Sequence, residues 1–191
     1  AFIYGEKLFL INPKIEKLYQ TLLNIIAKTK NWNQLIDITD KAFSNKIIKK
    51  EVANENKSIA LFEIAKIKMK SDGKDAINLI EKAISLKGNF PPYIKLYIQL
   101  LFATNNKDKA VKVLKKYWSQ SPSSLLRSSI TEVLKENKIN EIEFINRLIS
   151  NNQNNEESKK LLIDFAIYFN NWGIARDNIK GLIGPNPSKE I

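Results

Sequence analysis

The side chains that carry most enzyme chemistry are missing from this sequence. Among 191 residues there is no histidine, no cysteine and a single methionine, Met69. Imidazole acid–base chemistry, thiolate nucleophiles, disulfides and the usual zinc and haem ligands therefore have no donors. The remaining candidates are carboxylates such as Asp37, Asp40, Glu141, Glu143 and Asp164. None belongs to a catalytic motif, and exposed carboxylates are ordinary on helix surfaces. A Gly-x-Gly-x-x-Gly turn for a flavin or nucleotide phosphate is also missing, with only six glycines in the chain. The expectation is a non-enzymatic protein with no catalytic, cofactor-binding or metal-binding residue and no cofactor.

Charge is the second chemical feature. Lysine and arginine together number 31 against 20 acidic residues, for a net charge of +11. Only Arg127, Arg147 and Arg176 are arginines, although phosphate and base recognition leans on the bidentate guanidinium. A lysine-, isoleucine- and asparagine-rich surface is what an AT-rich genome writes onto any soluble protein. Nucleic acid is accordingly a disfavoured partner. Lys109, Lys112 and Lys116 share one helix face and would suit anionic lipid, at about 1 kcal/mol per well-placed lysine, but read first as a solvated stripe.

The elements that must position these side chains repeat. Ala1, Leu35, Ala76 and Ala110 occupy one slot, separated by 34, 41 and 34 residues. A spacing of 34 is the period of tetratricopeptide helix-turn-helix units, and the longer step holds a seven-residue surplus within 44–56. Tyr19-x2-Leu22-Leu23-x2-Ile26 has the spacing of a first repeat helix, and Leu35, Thr39 and Ala42 lie on the second. Lys30-Asn31-Trp32-Asn33 marks the turn between them, where Asn accepts left-handed backbone. Ile94-x2-Tyr97-Ile98-x2-Leu101, then Asn105-Asn106, then Ala110-x3-Leu114 repeat the scheme, with Pro91-Pro92 in the first helical turn. Asn170-Asn171-Trp172 and Ala175 echo the earlier turn and slot, and Gly184-Pro185 stops the helix. Trp32, Trp118 and Trp172 are expected to pack between hairpins rather than stack on a ligand.

The expected fold is all-α, a tetratricopeptide-repeat-like α-solenoid of about eleven antiparallel helices. It forms one domain over 1–191. The opening inside a helix without methionine, and the close just after a Pro-Asn-Pro-Ser turn, suggest an excerpt of a longer chain. No apolar run approaches the roughly 18 residues needed to span a bilayer.

The order of segments resembles the C-terminal part of the HemY family. The resemblance rests on Glu6-Lys7-Leu8-Phe9-Leu10-Ile11-Asn12-Pro13, the Asn31-Trp32 turn and the long connection after Ala42. It continues through Lys109 to Trp118, Asn171-Trp172-Gly173-Ile174-Ala175-Arg176 and Leu182-Ile183-Gly184-Pro185. Asn stands where that family usually has Gly or Asp, and Ile or Lys where it has Ala. The resemblance implies a bacterial inner-membrane protein associated with haem biosynthesis, anchored by N-terminal segments not present here, with its repeat domain on the cytoplasmic side. It does not imply oxidase activity.

In such arrays the first helix of each hairpin lines a concave groove. The candidate partner-binding residues are Lys17, Gln20, Asn24 and Lys28, then Lys95 and Gln99, then Lys160 and Asp164. Lysine beside a carboxamide offers donors to a peptide carboxylate. The functional expectation is a protein-interaction scaffold holding a protein or peptide partner. Alternatives are a free cytosolic adaptor for peptide tails and, last, an RNA-binding helical repeat.

Overall fold

The computed structural model describes residues 2–12, 16–137, 140–180 and 182. Ala1, Pro13 and the Gly184-Pro185 stop lie outside the described residues. Among those described, the chain forms eleven α-helices, one short 3-10 turn and no strand. The helices are α1 (Phe2–Ile11), α2 (Glu16–Thr29), α3 (Trp32–Ser44), α4 (Lys50–Lys68), α5 (Gly73–Lys87) and α6 (Pro91–Ala103). They continue as α7 (Lys107–Gln120), α8 (Arg127–Asn137), α9 (Glu141–Ile149), α10 (Glu156–Tyr168) and α11 (Trp172–Lys180), with the 3-10 turn at Ser124–Leu126. Helices adjacent in the chain pack on one another, α1 through α5 in turn, α7 on α8, and α9 through α11, an all-α, tetratricopeptide-like fold. The chain divides into two compact units, Ala1–Leu100 and Leu101–Ile191.

Asparagine and lysine make the turns. Asn105 and Asn170 adopt left-handed backbone at φ +60° and +59°, as the sequence predicts for helix ends. At the first turn Lys30, not Asn31, takes that conformation, at φ +55°. Asn31 instead sits at the start of α3, where its carbonyl accepts from Leu35 at 3.3 Å. The starts of α5, α9 and α10 use side-chain caps. Asp72 accepts from the Asp75 amide at 3.0 Å, Asn140 from Glu143 at 3.0 Å and Asn155 from Glu157 at 2.9 Å. Each satisfies an amide that would otherwise be orphaned at a helix start. Gly88 ends α5 at φ +79°, a conformation a side chain would strain.

In the first unit, Phe9, Tyr19, Leu22, Ile26, Leu35, Ile38, Ala42 and Ala60 form one buried core drawn from α1 to α4. Gly5 lets α1 close on α2, since a Cβ there would meet Leu22 Cδ2 at 3.0 Å. Trp32 packs, partly buried, against this core as expected. The surplus in 44–56 resolves into a tight turn and extra helix. Ile47 and Ile48 anchor the turn on the core, and α4 runs 19 residues against 14 in α2. On it Ala53, Ser58, Ala60 and Ala65 are buried and Lys50 and Lys66 exposed, while Asn54, Asn56, Lys57 and Lys68 are half-buried. The outer side of α1 carries Ile3, Tyr4, Leu8 and Ile11 exposed.

In the second unit the small slots Ala110 and Ala175 are buried, as Ala76 is in the first. Trp118 is wholly buried. Trp172 differs from expectation, because 57% of it is exposed and it heads α11 without entering the core. Its place after an Asn-Asn turn matches Trp32, but Trp32 has α1 to α4 to pack against.

Candidate interaction surface

The repeat is visible in the polar ties between helices. Within the first unit, Asn56 Nδ2 donates to the Tyr19 hydroxyl at 2.8 Å across 37 residues. Ser58 gives its proton to the Glu55 carbonyl at 2.7 Å, so its lone pair is left to accept from the Tyr93 hydroxyl at 3.1 Å, 35 residues on. Lys41 donates to Glu6 at 2.8 Å, again 35 residues apart. In the second unit Arg127 reaches Asp164 at 2.5 Å over 37 residues. Such separations, all close to one period, are what stacked hairpins require.

A closed ring of hydrogen bonds fixes α7 against α10. Trp118 Nε1 donates to Ser158 Oγ at 3.2 Å, and Ser158 donates to Asn152 Oδ1 at 3.0 Å. Asn152 Nδ2 returns to the Trp118 carbonyl at 2.8 Å. Each buried polar group thereby finds its partner. Thr39 Oγ1 and Ser129 Oγ are buried without hydrogen-bond geometry. Thr39 is the position where the repeat would place a smaller residue.

The phenols of Tyr19 and Tyr93 are perturbed. Burial pushes both above the ordinary tyrosine value, with polar neighbours drawing each partly back. For Tyr19 these are Thr39 and Asn56. For Tyr93 they are Ser58 and the nearby Lys87 charge, opposed by Glu55 and Glu63. These shifts belong to packed side chains and not to an open site. Among the described residues no group of three or more acidic residues is placed to hold a metal. No helix of the described residues is long and apolar enough to cross a membrane.

The eight partner-binding candidates separate into three groups. Lys17, Gln20, Asn24 and Lys28 form one exposed stripe on α2. None of their side chains makes a hydrogen bond or ion pair among the described residues. Lys95 and Gln99 sit one turn apart on α6, both half-buried. Apart from the two tyrosine hydroxyls they are the polar side chains of a helix whose Ile94, Leu96, Ile98 and Leu100 are buried. Lys160 and Asp164 are engaged instead. Lys160 pairs with Glu156 at 2.7 Å, and Asp164 accepts from Arg127. On α7, Lys109, Lys112 and Lys116 are exposed, and Lys116 lies over the Tyr117 ring at 5.5 Å.

No family model and no curated protein matches the sequence. Among solved structures it is similar to the crystal structure of YrrB, described as a TPR protein with an unusual peptide-binding site. That similarity has 13% sequence identity and a TM-score of 0.46, over 99% of this chain and 95% of that one. No residue role in this chain follows from it.

Proposed function

We propose that the chain is a protein-interaction scaffold that holds a protein or peptide segment on the first-helix faces of its hairpins. The observation that carries this is the exposed polar stripe Lys17, Gln20, Asn24 and Lys28 on α2, whose side chains have no partner among the described residues. Ammonium and carboxamide groups with no partner among the described residues keep their donors for a ligand's carboxylate or main-chain carbonyls. Lys95 and Gln99, set in the apolar surface of α6, extend the same chemistry within the first unit. Lys160 and Asp164, tied to neighbours, would have to release those ties to contribute. The reading takes 1–191 as one working repeat domain and gives it no catalytic or cofactor role.

The HemY-like, membrane-anchored and haem-linked form of this proposal rests on the segment resemblance alone, without a family match to support it. Two apolar spans upstream of residue 1 in the parent chain would favour it over a free adaptor for peptide tails. The RNA-binding alternative requires affinity that falls steeply with salt.

The scaffold reading is tested by charge reversal at equal net cost. Lys17→Glu with Lys95→Glu should reduce capture of the native partner from source-cell lysate. Lys109→Glu with Lys112→Glu, which changes net charge by the same amount, should leave it nearly intact. Long-range attraction would respond alike to both pairs. Equal losses, with both variants folded by circular dichroism, would replace the groove with non-specific electrostatics.

A further inference from the structure

Tyr4, Leu8 and Ile11 form an apolar stripe on α1, spaced by four and three residues so that they share one helix face. They are 78%, 48% and 75% exposed, and Ile3 stands exposed on the flank. The opposite face belongs to the core: Phe9 is wholly buried and stacks with Tyr19 at 6.0 Å, and Gly5 lies against Leu22. α1 is therefore apolar on both sides and packed on one. A helix that is apolar all round is a buried helix in a globular fold.

The repeat shows what covers this face elsewhere. Ala1, Leu35 and Ala76 share one slot, so Tyr4 and Leu8 correspond to Ile38 and Ala42 of α3 and to Leu79 and Ala83 of α5. Ile38, Ala42 and Ala83 are buried and Leu79 is half-buried. Ile11 corresponds to Leu86, half-buried in α5, and to Asn45, just past the end of α3. α3 and α5 each pack against the helix before them, α2 and α4, whereas α1 packs against the helix after it, α2. In both hairpins the helix before is joined by a short turn, residues 30–31 and 69–72. A second copy of the chain is a poorer cover. Pairing two α1 faces would bring together chains of net charge +11, with Lys7 exposed one turn from Tyr4.

We propose that the stripe packs against a helix encoded immediately upstream of residue 1 in the parent chain, the first helix of the hairpin whose second helix is α1. That helix carries an apolar face at three- and four-residue spacing, as Tyr19, Leu22 and Ile26 do on α2. It ends within a few residues of Phe2, the turn length of the other two hairpins. Leu8 stands where α3 and α5 have alanine, so the residue facing it is small; two large side chains there would overpack the contact. The polar side of the upstream helix extends the first-helix surface beyond α2, as α4 does through the Asn56 to Tyr19 bond. This packing stands or falls separately from whatever that surface holds.

Amide hydrogen exchange tests it by comparing the chain from residue 1 with the parent chain that carries its upstream residues. In the longer chain the amides of residues 3–11 should exchange at least about tenfold more slowly. Tyr4→Glu with Leu8→Glu should return them to the rate of the shorter chain, while residues 53–65 of α4 keep theirs. In the shorter chain the same pair should change nothing, because both side chains already face water. Should the pair unfold α1 there, Ile11→Ser serves for the same comparison. Equal exchange in the two chains would leave the face to a partner protein and overturn the proposal. Protection of the shorter chain that disappears on dilution would assign the face to a second copy. Full protection of the longer chain despite both glutamates, or upstream residues without an apolar face at helical spacing, would equally overturn it.

Discussion

Single side chains show how the chain compensates for burying polar groups. Ser158 is both acceptor for Trp118 and donor to Asn152, so it closes the ring that joins α7 to α10. Ser158→Ala would leave the buried indole N–H without a partner, at a cost of about 1–3 kcal/mol. Thermal unfolding should fall by roughly 2–4 °C for each kcal/mol in a chain of this size; an unchanged melting temperature would mean that the ring contributes nothing. Tyr19 and Tyr93 set an alkaline limit. Their folded pKa values lie above the ordinary value of 10.0, so their contribution is complete below pH 10 and is lost as pH rises through the folded values. The phenolate absorbance should show Tyr19 and Tyr93 titrating late, together with unfolding. Tyr19→Phe and Tyr93→Phe should each remove one late step. Nothing in the local sequence marks these two phenols or Trp118 as hydrogen-bonded, because their partners lie 35 to 40 residues away.

At the scale of helices, much was legible. The small slots Ala76, Ala110 and Ala175 are buried, the hairpin turns fall at Asn105 and Asn170, and Pro91 opens α6. Spacing carries this information because helix faces repeat every three or four residues. Ala110→Trp should therefore overpack its slot by roughly 1–3 kcal/mol, visible in denaturant unfolding, and a wild-type midpoint would disprove the register. The surplus in 44–56 was ambiguous because a solvated helix face and a loop share the same polar composition. The structure assigns most of it to α4, which begins at Lys50 and buries Ala53. Trp172 misled for the opposite reason. Its neighbours repeat those of Trp32, but a matching turn does not supply a matching core.

At the scale of the whole chain, two compact units of stacked helices present long helix faces. The candidate surface was only partly readable. Exposure on α2 follows from the helical period, but which polar residues stay unpaired depends on ties such as Arg127 to Asp164 that no local pattern reveals. That distinction moves the expected contact toward Lys17, Gln20, Asn24 and Lys28. It is tested most directly by a photo-crosslinking side chain placed at Asn24 or at Lys112 and irradiated in source cells. The scaffold account predicts a discrete adduct with a partner protein from position 24 and none from position 112. Adducts from 112 alone, or equal smears from both, would contradict it.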